Sequence, residues 1–168
     1  MVFIFITTII AACNGFNWNG QINLEDCNPD EIKTISLLIE KSSSTIEWDM
    51  DTNFDGTISP LEVGWQFWQD GHLMHWICSD VPSPWYVYNY NCGLSGDVMD
   101  FFSDFSKLKK LHIDFNQITG NINEDFCYSN FANISDYWLR INNNKICPPL
   151  PECISEKNRI QNTSNCNE

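Results

Sequence analysis

Eight cysteines, three histidines and twenty-two acids are the side chains through which this 168-residue chain could do chemistry. Cys13, Cys27, Cys78, Cys92, Cys127, Cys147, Cys153 and Cys166 are even in number, and no C-x-x-C pair or nearby histidine pair offers a zinc set. An even count behind an export-like N-terminus predicts disulfides rather than thiol chemistry. His72-x-x-His75 at the start of a strand would diverge rather than chelate, and His112 stands apart. No G-x-S-x-G, phosphate-cradling glycine loop or H-E-x-x-H occurs. A glycosidase would need two acids facing across a cleft, and an acidic chain offers pairs such as Asp100 and Asp104 by composition alone. The expectation is binding rather than catalysis.

Asp51 to Glu62 reads D-T-N-F-D-G-T-I-S-P-L-E. This run resembles the EF-hand calcium loop, in which a hard cation takes several oxygens and a closing glutamate. The resemblance implies calcium as cofactor. Asp51, Asn53 and Asp55 would be the early ligands, Thr57 would offer its carbonyl, Ser59 would act directly or through water, and Glu62 would close the site. Gly56 falls where such a loop bends, and Ile58 where a short strand points inward. Pro60 would open an exit helix carrying Trp65, Phe67 and Trp68. The same residues also imitate an acidic surface turn. Upstream, Gly15 to Asp26 repeats the glycine step but lacks the first acid, and the simpler expectation is that Cys13 and Cys27 staple that segment.

The elements that must position these groups are marked by a repeat. Leu94-Ser-Gly96-Asp-Val98 recurs as Ile118-Thr-Gly120-Asn-Ile122, a shift of 24 residues. Around the second copy, Leu108 to Phe126 reads L-K-K-L-H-I-D-F-N-Q-I-T-G-N-I-N-E-D-F; a third, L-R-I-N-N-N-K-I, runs from Leu139 to Ile146, and a partial one holds Leu73, Trp76 and Cys78. Leu111 and Ile113 alternate with His112 and Asp114, so a short strand turns apolar groups in and polar groups out. An amide at Asn116 and Asn144 can satisfy backbone groups where the chain turns inward. Gly120 permits a tight return, Ile122 and Phe126 fill the outer side, and units that cannot bury their own face must stack.

This pattern resembles the plant-type extracellular leucine-rich repeat from about Leu73 to Cys153, with Asn123 where that family has proline. The resemblance implies an α/β solenoid: a short leucine-rich-repeat array with disulfide caps and a small helical EF-hand-like N-terminal unit. The expected organisation is a signal at 1–12, the helical unit at 13–70, the array at 71–153 and a capping tail at 154–168. Cys78 at an inward strand position and Cys92 at the turn-asparagine position should pair, extruding a loop between them. Cys127–Cys147 and Cys153–Cys166 are the preferred remaining pairs, since sequence alone does not fix connectivity. Asn28-Pro29 starts a helix whose stripe is Ile32, Ile35, Leu38 and Ile39, ended by Ser42-Ser43-Ser44.

Residues 1–12 are apolar and end in small side chains, like a secretory signal, and Ile10 to Cys13 also resembles a lipoprotein box that would lipidate Cys13. No other stretch approaches the roughly 20 apolar residues of a membrane span. A formal charge of −13 disfavours nucleic acid and anionic membranes and suits cations and basic protein surfaces. The expected binding face comprises Ile77, Ser79 and Asp80, then His112, Asp114 and Phe115, then Arg140, Asn142 and Asn143. Trp85, Tyr86, Tyr88 and Tyr90 on the extruded loop either join this face or fold back as a cap. A protein partner, or a carbohydrate, at the cell surface or outside the cell is the expected ligand. The alternative is a dockerin-like protein whose calcium site is its main function. Asn133 and Asn162 begin glycosylation sequons that a eukaryotic host would use.

Overall fold

The computed structural model describes residues 13–17, 22–46, 48–79, 92–97, 105–128 and 138–166; the expected signal at 1–12 and the sequon at Asn133 lie outside them. The helix α1 (Pro29–Lys41) begins where its sequence dictates. Asn28 accepts the Asp30 and Glu31 N–H groups through its side chain, and Pro29 occupies the first turn, which needs no donor. Ile35 and Leu38, one turn apart, bury on one face, and the Ser42 N–H closes the last turn on the Leu38 carbonyl.

Strands β1 (Gly15–Phe16), β2 (Trp65–Gln69), β3 (His72–Ile77), β5 (Lys110–His112) and β7 (Leu139–Arg140) form the main sheet in that order, while β4 (Ser95–Asp97) and β6 (Gln117–Thr119) form a smaller one. The β1–β2 and β2–β3 pairs are antiparallel; β3–β5, β5–β7 and β4–β6 are parallel. Asp70 and Gly71 join β2 to β3 with φ of 51° and 83°, the twist that an Asp-Gly hairpin turn supplies. Trp68, Leu73, Trp76, Leu94, Leu111, Ile113, Leu139 and Ile141 bury between the sheets, and one apolar cluster runs from Cys13 to Ile154.

This architecture overturns the expected α/β solenoid. The repeated units do align, Trp76 beside Leu111 beside Leu139. But α1 is the one α-helix among the described residues, the main sheet is mixed, and the return segments are the β4–β6 ladder and 3-10 turns such as Glu124–Tyr128. The exit helix expected from about Pro60 is cut to a 3-10 turn at Pro60–Glu62, because Trp65–Gln69 is a strand. The physical reason is a period of two: W-Q-F-W-Q alternates between the two faces of a strand, and large aromatics favour the pleated surface. Gln66 can turn inward because its amide is fully used, donating to Pro60 and Val63 carbonyls and accepting from the Trp68 indole.

Asparagines hold the ladders at their turns. Asn116 accepts the Leu94 N–H at 2.8 Å and donates to the Cys78, Ile113 and Asp114 carbonyls. Asn144 accepts the Ile118 N–H and donates to Ile113, Ile141 and Asn142. Asn158, outside the repeat pattern, serves Ile141 and Leu139 in the same way and closes the β7 side. The tail lies along that side, with Asn143 donating to Ile160 and Asn162 donating to Asn144.

Cys13 bonds Cys27 and Cys78 bonds Cys92, while Cys127 bonds Cys153 and Cys147 bonds Cys166 in place of the expected Cys127–Cys147 and Cys153–Cys166. The cause is the course of the tail. Cys147 is tied into the smaller ladder beside Asn121, donating its N–H to Gly120, and the returning tail brings Cys166 to it. The Arg159 guanidinium gathers the Leu150, Pro151 and Ile154 carbonyls into a turn that delivers Cys153 to the Glu124–Tyr128 segment.

Glu31 ties α1 to β3. It is fully buried, accepts the Leu73 N–H at 2.7 Å and meets His72 Nδ1 at 3.0 Å. Burial pushes its carboxyl above the usual glutamate value, against the Leu73 and His72 hydrogen bonds. A carboxyl raised on folding stabilises most below its unfolded value, and that contribution is lost as pH rises through the folded value. E31Q should therefore gain stability relative to the wild type as pH rises above 4.5. Urea midpoints of both proteins across the acid range test this, and parallel curves would refute it.

Candidate recognition face

Strand alternation gives the main sheet an inner side, with Leu73, Trp76, Leu111 and Leu139, and an opposite side that begins with a chain of rings. Phe16 on β1 lies 5.1 Å from Trp65 and 4.9 Å from Phe67 on β2, centroid to centroid. His75 on β3 stacks on Trp65 at 6.3 Å and meets Phe67 at 5.4 Å and Trp138 at 5.9 Å. The Lys110 ammonium on β5 sits 5.4 Å from the Trp138 ring centre. The rings thus run without a break from β1 to the residue preceding β7. Trp138 is 39% exposed, while Trp65, Phe67 and His75 are half-buried.

Two further rows lie beyond the rings. Ile77, His112 and Arg140 are register partners across β3, β5 and β7, and Ser79, Asp114 and Asn142 follow two residues later. Electrostatically the face is basic, on a chain of net −13. Burial and then the Arg140 charge hold the Lys110 ammonium below its usual range; burial and then Lys110 and Lys109 do the same to His75, which favours an uncharged ring in the stack. Burial raises the Asp114 carboxyl, opposed by Ser79, Arg140 and Lys157.

Several expected binding residues therefore share one side of the sheet, but not as an exposed ridge. Phe115 is 43% exposed and Ile77, Arg140 and Asn143 are half-buried, whereas Ser79, His112, Asp114 and Asn142 are buried. His112 ends the middle of three parallel strands and Asp114 lies two residues beyond it, each with a neighbouring segment on either side, and the tail flanks Asn142. Asp80, Trp85, Tyr86, Tyr88 and Tyr90 lie outside the described residues. Phe16, Trp65, Phe67, His75, Lys110 and Trp138 were not anticipated. The signal for most of them was the Asp-Gly pair flanked by alternating aromatics, which marks a hairpin.

The loop at 51–62 stands apart. Asp51 accepts the Asp55 and Gly56 N–H groups, and Asn53 also accepts from Asp55. Asp55 accepts from the Thr57 N–H and hydroxyl, which hold its carboxyl below the usual range. Glu62 reaches back to the Thr52 and Asn53 N–H groups and accepts from Ser59. Burial raises the Glu62 carboxyl, but these hydrogen bonds together hold it below its usual value. The side chains of Asp51, Asn53, Asp55, Ser59 and Glu62 with the Thr57 carbonyl are all oxygen donors, a set whose chemistry fits a hard divalent cation. Ile58 packs against the core without forming a strand. No protein-family model matches this chain, and neither does any curated protein or solved structure.

Proposed function

We propose that this protein is an extracellular recognition module that works by binding, holding its partner on the outer side of the main sheet. The observation that carries this reading is the unbroken run of rings from Phe16 to Trp138, flanked by Lys110 and Arg140. Trp and Arg dominate the energetics of interfaces, because a flat ring buries much surface while fixing few torsions and a guanidinium offers a planar fork of donors. Four disulfides suit an oxidising compartment, and among the described residues no helix is long and apolar enough to cross a membrane.

The test compares the wild type, a W65S/W138S variant and a Leu37→Ser control on the exposed side of α1. Each is applied to an array of extracellular proteins and oligosaccharides. The control should match the wild type, and the face variant should lose roughly thirtyfold in affinity, the scale of two interface anchors. Equal binding by all three would sink the reading.

A second reading concerns calcium, and the donor set of the 51–62 loop favours it. Bound there, the ion would draw Glu62 and Asp51 together and brace the approach to β2. At a concentration of 100 times Kd, linkage gives about 2.7 kcal/mol of stabilisation. Melting of the oxidised chain in calcium against chelator should show a rise that D51A abolishes. Identical curves with and without the ion would leave the loop a hydrogen-bonded turn.

A further inference from the structure

The tail closes the main sheet beyond β7 and leaves an edge of its own. Ile160 is extended, with φ −74° and ψ 102°. The Asn143 N–H donates to the Ile160 carbonyl and the Asn162 N–H to the Asn144 carbonyl, both at 2.7 Å, so these tail groups face the sheet. Gln161 lies between them, and extended geometry turns its own N–H and carbonyl the other way. Among the described residues no group meets that N–H or carbonyl, while the Gln161 side chain is spent on Asn144, Ile141 and Asn158. An open edge of this kind invites pairing with another chain unless something covers it.

Two side chains flank the edge. Alternation puts Ile160 and Asn162 on one side of the segment, about 7 Å apart. Ile160 is 58% exposed, an apolar group left in water. Asn162-Thr163-Ser164 is an acceptor sequence for N-linked glycosylation, and all three residues are exposed. Asn162 Oδ1 accepts the Ser164 N–H at 3.2 Å, and among the described residues its amide nitrogen makes no hydrogen bond. The four disulfides suit the exported compartments in which such transfer takes place.

We infer that Asn162 carries an N-linked glycan whose first sugar lies over Ile160 at the open edge of the tail. The Asn162 amide nitrogen attacks the anomeric carbon of the N-acetylglucosamine that ends a polyprenyl-diphosphate oligosaccharide. The new nitrogen–carbon bond forms as the bond from that carbon to the phosphate oxygen breaks. Polyprenyl diphosphate leaves, one amide proton passes to base, and nothing is oxidised or reduced. The sugar suits the place, since its C–H face covers an aliphatic side chain while its hydroxyls and acetamide serve backbone groups such as those of Gln161. The inference depends on export and not on the ring face.

The test secretes the full chain behind a secretory leader from a eukaryotic cell and maps the reduced, alkylated peptide that follows Arg159. Asn162 should carry the glycan, S164T should keep it and S164A should remove it. S164A should also melt about 2–4 °C below the wild type, the shift that covering half an isoleucine gives in a chain of this size. In an I160S background the same change should cost little, because the apolar group to be covered is gone. A secreted, folded wild type with Asn162 unmodified overturns the site. A modified protein whose S164A variant melts with it, or whose loss is undiminished by I160S, overturns the contact with Ile160.

Discussion

Gly93→Ala should cost this protein about 4 kcal/mol, a large share of the roughly 5–15 kcal/mol that stabilises an ordinary domain. Gly93 has φ +60°, where a side chain adds roughly 1–2 kcal/mol of strain. A Cβ there would also overlap the backbone carbonyl of Thr45, whose carbon lies 2.8 Å away, and a carbonyl cannot swing aside as a side-chain tip can. Overpacking of this kind adds about 1–3 kcal/mol. Thr45 is in turn fixed by its own hydroxyl, which donates to the Gly93 carbonyl at 2.6 Å. Chemical denaturation reads the effect, and Gly56→Ala is the control. Gly56 has φ +85° but open space around its Cβ position, so it should lose only the strain, about 1 kcal/mol. Equal losses at the two positions would show that the contact with Thr45 is unimportant.

Asn116→Ala should cost about 3 kcal/mol or more. The change strands the Leu94 N–H, buried and served by that amide, and removes one donor shared among the Cys78, Ile113 and Asp114 carbonyls. Each buried group left unmet costs about 1–3 kcal/mol. The isosteric N116D separates geometry from charge. It keeps the acceptor for Leu94 but turns a carboxylate toward three carbonyls, so its folded pKa is raised. Its stability should recover as pH falls and the carboxyl is protonated, and be lost as pH rises. Asn116 and Asn144 also share the Ile113 carbonyl, at 3.0 and 2.9 Å, so the double variant should depart from additivity. Denaturant midpoints of the wild type, N116A, N144A, the double variant and N116D check both points; a pH-independent N116D would show that the amide hydrogens do nothing there.

Residues whose role is local were legible in the sequence. Asn28-Pro29 starts α1 because a cap and a donor-free first turn need only neighbours along the chain. The inward set Leu111, Ile113, Leu139 and Ile141 follows from alternation, and the turn asparagines from the demand that a buried turn be hydrogen-bonded. The Asp-Gly hairpin was equally local, but a calcium-loop resemblance set a helix where a period-two pattern stood. That displaced Trp65 and Phe67 from the outer side of the sheet.

Tertiary structure alone decided the rest. Nothing in the spacing of Cys127, Cys147, Cys153 and Cys166 distinguishes their pairings; the path of a tail held by Arg159 and by the edge at Asn143 and Asn144 does. The ring row joins residues from Phe16 to Trp138, and the polar row joins Ser79, Asp114 and Asn142, because strands distant in sequence lie one spacing apart in the sheet. A sequence states which side chains alternate outward. Only pairing in register places those side chains next to one another.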